Sequence, residues 1–447
     1  MNPIHSRGWL ALLVLLASAG QVDAQKRLPS ADRSSPDFLD NGVIRIGVDV
    51  SKGGAIRWLS RSGSTDNVIN VADLGRYVQQ SYYSGPCPYV PEGASQHPAW
   101  SGWCWNPIQV GDVFGNPSRL LDHTNDGQTL YTQCVPMQWA LDGVPGDCTL
   151  ETWIRLEENR AHVRCRLVNA RQDPARYPAA HQELPAIYTI GRLHRLFTYT
   201  GLAPFTGDAL TQIQNSGPPW EYWLSTERWA ALVDDDGWGV GIVHPDRLLT
   251  AGGFHGTPGV GGPADGATGY IAPLHTEVID AQITYEYAFI LILGTLSQIR
   301  ELATANAPEA RPRFRFHRDR SHWIPINARD AAPPYDGAWT LSLEDGDPQL
   351  ISPPMDYEAA RAPKLTIEAA YRGAGSKAEL FFARTGEDFS AARRVEWPVI
   401  SDGVVRTYVV DLAAHSDYTG RIGKLRFDPL VQTQAGNEID LVSIGFE

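Results

Sequence analysis

Two adjacent runs, 149–157 and 161–170, constrain the fold more than any other part of the chain. In the first, Leu150, Thr152, Ile154 and Leu156 share one face; in the second, Val163, Cys165 and Leu167 do, and the polar link Glu157-Glu158-Asn159-Arg160 joins them. Alternation of period two on both sides of a short turn specifies an antiparallel hairpin. A lone hairpin cannot bury its apolar face, so further strands have to cover it. The sequence supplies them: 42–50 and 55–60 flank a turn at Gly53-Gly54, 229–233 and 239–243 flank Asp236-Gly237, and 130–141 and 283–293 alternate in the same way. Helical character in the C-terminal half is confined to 296–307, which Pro308 and Pro312 end. The fold class predicted is all-β.

A chain of 447 residues exceeds what one hydrophobic core usually organises. The pattern divides it into a large antiparallel domain over 37–308 and a small C-terminal β-sandwich or jelly roll over 309–447. In the latter Leu365, Ile367, Ala369, Leu380, Phe382, Val409 and Leu412 supply inward faces. Residues 1–24 read as a secretory signal peptide, with a basic start at Arg7, an apolar core over 9–19 and Val22-Asp23-Ala24 before Gln25. Residues 25–36 follow as a flexible leader. A secreted or periplasmic location follows, and no later stretch is long and apolar enough for a membrane span.

The formal net charge of −13 argues against nucleic acid and anionic membranes as partners. Five cysteines in an oxidising compartment suggest two disulfides and one thiol. Cys87 with Cys104 and Cys134 with Cys148 are the economical pairs, and Cys165, on an apolar strand face, is the free one. No Cys-x-x-Cys or His-Glu-x-x-His spacing occurs, so no cofactor and no catalytic metal is expected; a structural Ca²⁺ in either sandwich stays open as an alternative. The segment 252–269 reads as a glycine-rich loop, but it lacks the Gly-Lys-Ser/Thr of a phosphate loop.

The candidate site starts at 67–83, where Asp73, Arg76, Gln79, Gln80, Tyr82 and Tyr83 lie between short apolar anchors. Amides, a guanidinium, a carboxylate and phenols supply the donors, acceptors and flat faces that sugar hydroxyls and rings require. A buried structural network around an Asp73–Arg76 ion pair would need the same residues. Directly after it, 84–116 is long, irregular and rich in proline, with Trp100, Trp103 and Trp105 crowded together. Loops of that length inside a domain are commonly functional. Nine of the fourteen tryptophans fall between Trp100 and Trp238.

The hairpin around Gly53-Gly54-Ala55-Ile56 to Leu59, with the long succession of strands after it, resembles the galactose-mutarotase-type supersandwich. That class includes aldose epimerases and domains of glycoside hydrolases and polysaccharide lyases. No motif carries the epimerase His and Glu pair onto this chain. The block 420–446, with Leu425-Arg426-Phe427-Asp428-Pro429 and Ile439-Asp440, resembles the last strands of carbohydrate-binding jelly rolls in secreted bacterial glycan proteins. The resemblance implies structural roles for Asp428 and Asp440 at strand ends and a glycan as partner.

Three chemistries follow. Hydrolysis of a glycosidic bond needs two carboxyl groups; Glu183, in an apolar run between His181 and a turn fixed by Pro185, is the first choice and Asp73 its partner. A lyase needs a Tyr or His base and a cation for a uronate carboxylate, which Tyr82 or Tyr83, His97 or His181, and Arg76 could supply. Pure binding needs aromatic platforms, for which Trp100, Trp103, Trp105 and Tyr270 are candidates. The sequence favours a glycoside hydrolase, with Glu183, Asp73, His181 and Tyr82 catalytic and Arg76, Gln79, Gln80, Tyr83, the three indoles and Tyr270 holding substrate.

Overall fold

The structure, a computed structural model, describes residues 36–309, 311–344, 346–431 and 436–447. The predicted signal 1–24 lies outside these residues, as does the leader except Pro36. Among the described residues, strands up to Thr295 form two antiparallel sheets. The first has ten strands, and its main path runs Asp37–Asp40, Ile44–Asp49, Ala55–Arg61, Val78–Ser81, Ala180–Ile190, Thr268–Glu277, Leu249–His255, Glu221–Leu224. The second has nine strands and holds Trp229–Val233, Trp238–Val243, Thr284–Thr295, Arg160–Asn169, Cys148–Glu157, Thr129–Val135 and Arg119–Asn125 in that order. Their facing sides share one core, in which Val48, Ile56, Leu184 and Ile187 meet Leu150, Ile154, Val163 and Leu291. The chain is all-β, with a large antiparallel sandwich and a smaller one after it.

The hairpin of Cys148–Glu157 and Arg160–Asn169 pairs Arg160 with Glu157 and Asn169 with Cys148, and Glu158 takes the positive φ of 50° that the tight turn requires. The helix is Leu296–Ala305, closed at its start by a capping box between Thr295 and Gln298. It covers one end of the outer face of the nine-stranded sheet through Ile299 and Leu302. From Arg313–Arg315 to Asn437–Phe446 the chain forms two six-stranded sheets around a second core that contains Leu365, Ile367, Leu380, Phe382 and Leu412. Asp428 is buried and bound by Arg426 at 2.7 Å, and Asp440 accepts from Thr340 at 2.8 Å. Charged side chains cross between the sandwiches. Arg320 pairs with Asp280 at 2.7 Å and with Asp330 at 2.8 Å, while His322 and Arg247 share Glu277 at 2.5 and 3.3 Å.

Five expectations are corrected. Cys87–Cys104 is a disulfide, but Cys134 and Cys148 are free and buried beside Cys165. They sit on inward strand faces among core side chains, where burial pushes the Cys134 thiol up to about 12. Residues 181–188 form a bulged strand rather than a proline-fixed turn. Strands take both ends of 252–269, leaving 256–267 as loop. Val409 is 56% exposed, because on Arg406–Asp411 it alternates with the inward Val410. Arg119–Asn125 was not foreseen, because as an edge strand it is mostly exposed and carries little apolar alternation.

Candidate active site

Alternation on one short strand decides which residues of 78–83 reach solvent. Val78, Gln80 and Tyr82 point between the sheets; Gln79, Ser81 and Tyr83 point to the outer face of the ten-stranded sheet and line a cleft there. Tyr82 is fully buried and donates to Gln80 Oε1 at 3.1 Å, while Gln80 Nε2 donates to the Glu151 carbonyl and to Thr152 Oγ1, both at 3.0 Å. Trp105 is likewise buried, its indole N–H donating to Asp147 at 2.8 Å. The assignments of Tyr82, Gln80 and Trp105 to the site are therefore corrected: all three hold the sandwich together from its inside.

Glu183 stands at the floor of the cleft. It lies on Ala180–Ile190, opposite Ser81 on one side and Leu274 on the other, where the register slips toward Ile187 on one side and Ala186 on the other. Pro185 explains the slip, since it cannot donate to a ladder and is tolerated within a sheet at a bulge. The bulge keeps Glu183 on the outer face while Leu184 and Ile187 stay in the core. Burial pushes the Glu183 carboxyl up to about 7, opposed by the hydroxyls of Tyr270 and Tyr83 beside it. The same burial, with the Glu183 charge, raises the phenols of Tyr83, Tyr188 and Tyr270 far above their usual range. Near neutrality, then, a carboxyl that exchanges its proton faces three neutral phenols. Tyr83 is fixed by the Gln182 amide, which accepts from its backbone N–H at 2.6 Å and donates to its carbonyl at 2.7 Å.

The loop after Tyr83 folds over the cleft. The Cys87–Cys104 disulfide ties its ends, and the buried part of Gln96 knots its middle, donating to the carbonyls of Tyr89 and Trp103 and accepting from the N–H groups of Gly102 and Trp103. Trp103 is anchored to Asn106 at 2.9 Å. Edge-to-face contacts link Trp100 to Trp103 at 4.7 Å and Trp100 to Trp139 at 5.5 Å, making one aromatic wall. Gly75 lets the 67–77 segment close against this wall, since a Cβ there would lie 2.8 Å from the Trp139 ring. On the opposite side Tyr270 is sandwiched between Tyr188 and Trp220, each at 4.8 Å. The cleft holds about 70 Å³, room for several waters at the Glu183 carboxyl.

Other proposed members have different work. Tyr270 is buried under Trp220 and cannot serve as a platform; its hydroxyl instead faces Glu183. Arg76 pairs with Asp73 at 3.0 Å and donates to Asn70 Oδ1 and to the carbonyls of Asp265 and Gly266 at 3.1 Å, which clamps 67–77 to the 256–267 loop. Gln79 spends its amide on the Leu74 and Arg76 carbonyls and on the Val110 N–H. Both are therefore structural clamps rather than free substrate donors. Asp73 is 54% exposed and accepts from the N–H of Gly75, which lines the cleft, at 2.9 Å, and Tyr188 feels both its charge and that of Glu183. His181 sits two residues before Glu183, bonded to Thr276 at 2.9 Å, and crowding by protein holds its imidazole below the ordinary range. His97 caps the short helix Pro98–Trp100. Sequence reasoning missed Trp139, Trp220 and Tyr188; the Pro-Pro-Trp at 218–220 was the one local sign of an aromatic presented by a stiff loop.

No family model and no curated protein matches the chain. Solved structures do. The chain is similar over 59% of its length to a putative aldose 1-epimerase from Escherichia coli K12, covering 99% of that chain at 11% identity and a TM-score of 0.35. Over 58% it is similar to a galactose mutarotase-like protein from Lactobacillus casei, covering 99% of it at 11% identity and a TM-score of 0.34. Over 31% it is similar to a low affinity xylan binding module from Roseburia intestinalis, covering 94% of it at 17% identity and a TM-score of 0.23. Both resemblances read from the sequence recur here.

Proposed function

We propose that this is an exported carbohydrate-active enzyme that hydrolyses a neutral poly- or oligosaccharide in the cleft on the outer face of the ten-stranded sheet. Glu183 is the general acid, Asp73, ion-paired with Arg76 at 3.0 Å, supplies the second carboxylate, and Trp100, Trp103, Trp139 and Trp220 grip sugar faces. The observation that carries the reading is a carboxyl raised to about 7 among aromatic rings, because an acid poised near the working pH both holds and releases its proton. The Cys87–Cys104 disulfide fits an oxidising compartment, and among the described residues no helix is long and apolar enough to cross a membrane.

A lyase is disfavoured by the state of Arg76, whose guanidinium is already committed to Asp73, Asn70 and two carbonyls. Pure glycan binding is the second reading, favoured by the wealth of indoles at the cleft. A panel of neutral and acidic glycans, read by reducing-end release and by the absorbance of unsaturated uronate, separates the three. Reducing ends that vanish in Glu183→Gln while glycan binding persists support hydrolysis. Turnover at the parental rate in that variant overturns the role of Glu183.

A further inference from the structure

The helix Leu296–Ala305 covers only part of the outer face of the nine-stranded sheet. Beyond it the face carries a cross-strand ladder in which Tyr131, Trp153, Arg164 and Ala288 stand side by side, with Thr129, Arg155, His162 and Ile290 in the adjacent row. The small side chain of Ala288 leaves a gap in the ladder. Over it lies an open cavity of about 510 Å³, walled on the far side by Pro245 and Asp246, a volume typical of small-ligand sites.

The walls carry unspent charge. The Arg164 guanidinium is propped 4.0 Å over the Trp153 ring, and its nearest carboxylate, Glu286, is 3.9 Å away with both partners about half exposed. Arg155 uses Nε on the Thr129 hydroxyl and, among the described residues, makes no ion pair. Two guanidiniums thus face the gap on a chain whose net charge is −13, and His162, 3.1 Å from Glu157, stands beside Arg155 in its row. Asp246, exposed on the opposite wall, can accept hydroxyl protons but would repel a bare anion. Ion pairing takes up only part of this charge: the Arg164–Glu286 contact is long, half exposed and shared with Arg166 at 3.7 Å, and exposed pairs of that kind hold a guanidinium weakly.

We propose that this cavity is a second saccharide site, selective for a sugar ring bearing an anionic substituent, a carboxylate or a sulfate ester. The substituent is held by Arg155 and Arg164, the ring sits over Ala288, and ring hydroxyls donate to Asp246. Bidentate guanidinium contacts to an anion at a pre-formed cavity supply the selectivity. The site is on the opposite sheet from Glu183 and does not depend on the reading of that cleft.

Calorimetric titration of the full chain with tetragalacturonic acid, a chondroitin sulfate tetrasaccharide and cellotetraose tests it. At least one of the two anionic probes is expected to bind more tightly than cellotetraose, with affinity falling as salt rises, and which one binds identifies the substituent. Arg155→Ala and Arg164→Ala should each weaken that binding roughly ten-fold, and Glu183→Gln should leave it unchanged. Because Arg164→Ala also uncovers Trp153, Ala288→Leu, which fills exposed space, gives an independent arm with the same expected loss. Anionic probes that bind no better than cellotetraose, or parental affinity in Arg155→Ala and Ala288→Leu, overturn the proposal.

Discussion

Replacing Glu183 by Gln should stabilise the protein increasingly as pH rises from about 4.5 to about 7, and by a constant amount above that. The Glu183 carboxyl has an ordinary value of 4.5 when unfolded and is pushed up to about 7 by burial in the native state. Between those values the native state binds more protons than the unfolded one, so stability falls as pH rises through the interval. Below 4.5 the carboxyl is neutral in both states and costs nothing. Above 7 the full penalty of ionising it in the cleft applies: two and a half pH units at about 1.4 kcal/mol each cap it at about 3 kcal/mol. A glutamine keeps the shape and cannot ionise. Urea unfolding followed by tryptophan fluorescence should therefore give equal stability for parent and variant at about pH 4.5, and a variant more stable by up to about 3 kcal/mol at about pH 8. Asp428, pushed up to about 7 by burial in the second sandwich, titrates alike in both proteins and cancels in the difference. An equal stability difference at both pH values, or a destabilised variant at high pH, refutes the claim that burial holds this carboxyl in its neutral form.

Other outcomes follow from the same geometry. Trp103→Ala should weaken glycan binding by about 0.5–1.5 kcal/mol, roughly three- to ten-fold, measured by titration with a turnover substrate on the Glu183→Gln background. Tyr82→Phe should cost about 1 kcal/mol of stability through the lost bond to Gln80 and leave activity at the parental level; a collapse of activity in a folded variant would return Tyr82 to the site. Gly75→Ala should lower the melting temperature and open the cleft, since its Cβ meets the Trp139 ring at 2.8 Å. Acid should destabilise the large sandwich. His244 and His275, 2.9 Å apart and held neutral by burial with Arg247 and His322 nearby, sit well below the ordinary 6.5. Their unfolded forms bind protons first, so stability should fall as pH drops below about 6.5, by up to about 1.4 kcal/mol per pH unit for each imidazole. Differential scanning calorimetry across that range reads it.

The parts of this architecture that were legible in the sequence are those fixed by local periodicity. The Glu157-to-Arg160 hairpin needed only alternation and a polar turn, and the helix after Thr295 needed only its end signals. The same rule, applied residue by residue to 78–83, separates Tyr83 from Tyr82 and Gln79 from Gln80; reading that run as one polar wall blurred two opposite faces of a strand. Glu183 stood out because a carboxylate in an apolar run has to be accommodated somehow. What local reading could not reach is pairing at a distance. Nothing near Ser81 indicates that Glu183 lies opposite it, and nothing near Trp139 or Trp220 says that they close the same cleft from two sides. Arg76 misled for a related reason, since the carbonyls that absorb its guanidinium come from 265–266.

The central claim is that Glu183 carries an exchangeable proton in a glycan-binding cleft, and it can be read on the carboxyl itself. With selective ¹³C labelling of glutamate, which leaves Asp428 silent, the Glu183 side-chain carbon is followed by NMR from acid to alkaline pH, with and without a glycan from the panel. The account predicts a titration centred near 7 whose midpoint moves when the glycan binds. A midpoint near the ordinary 4.5, or one indifferent to every glycan that binds, would contradict it.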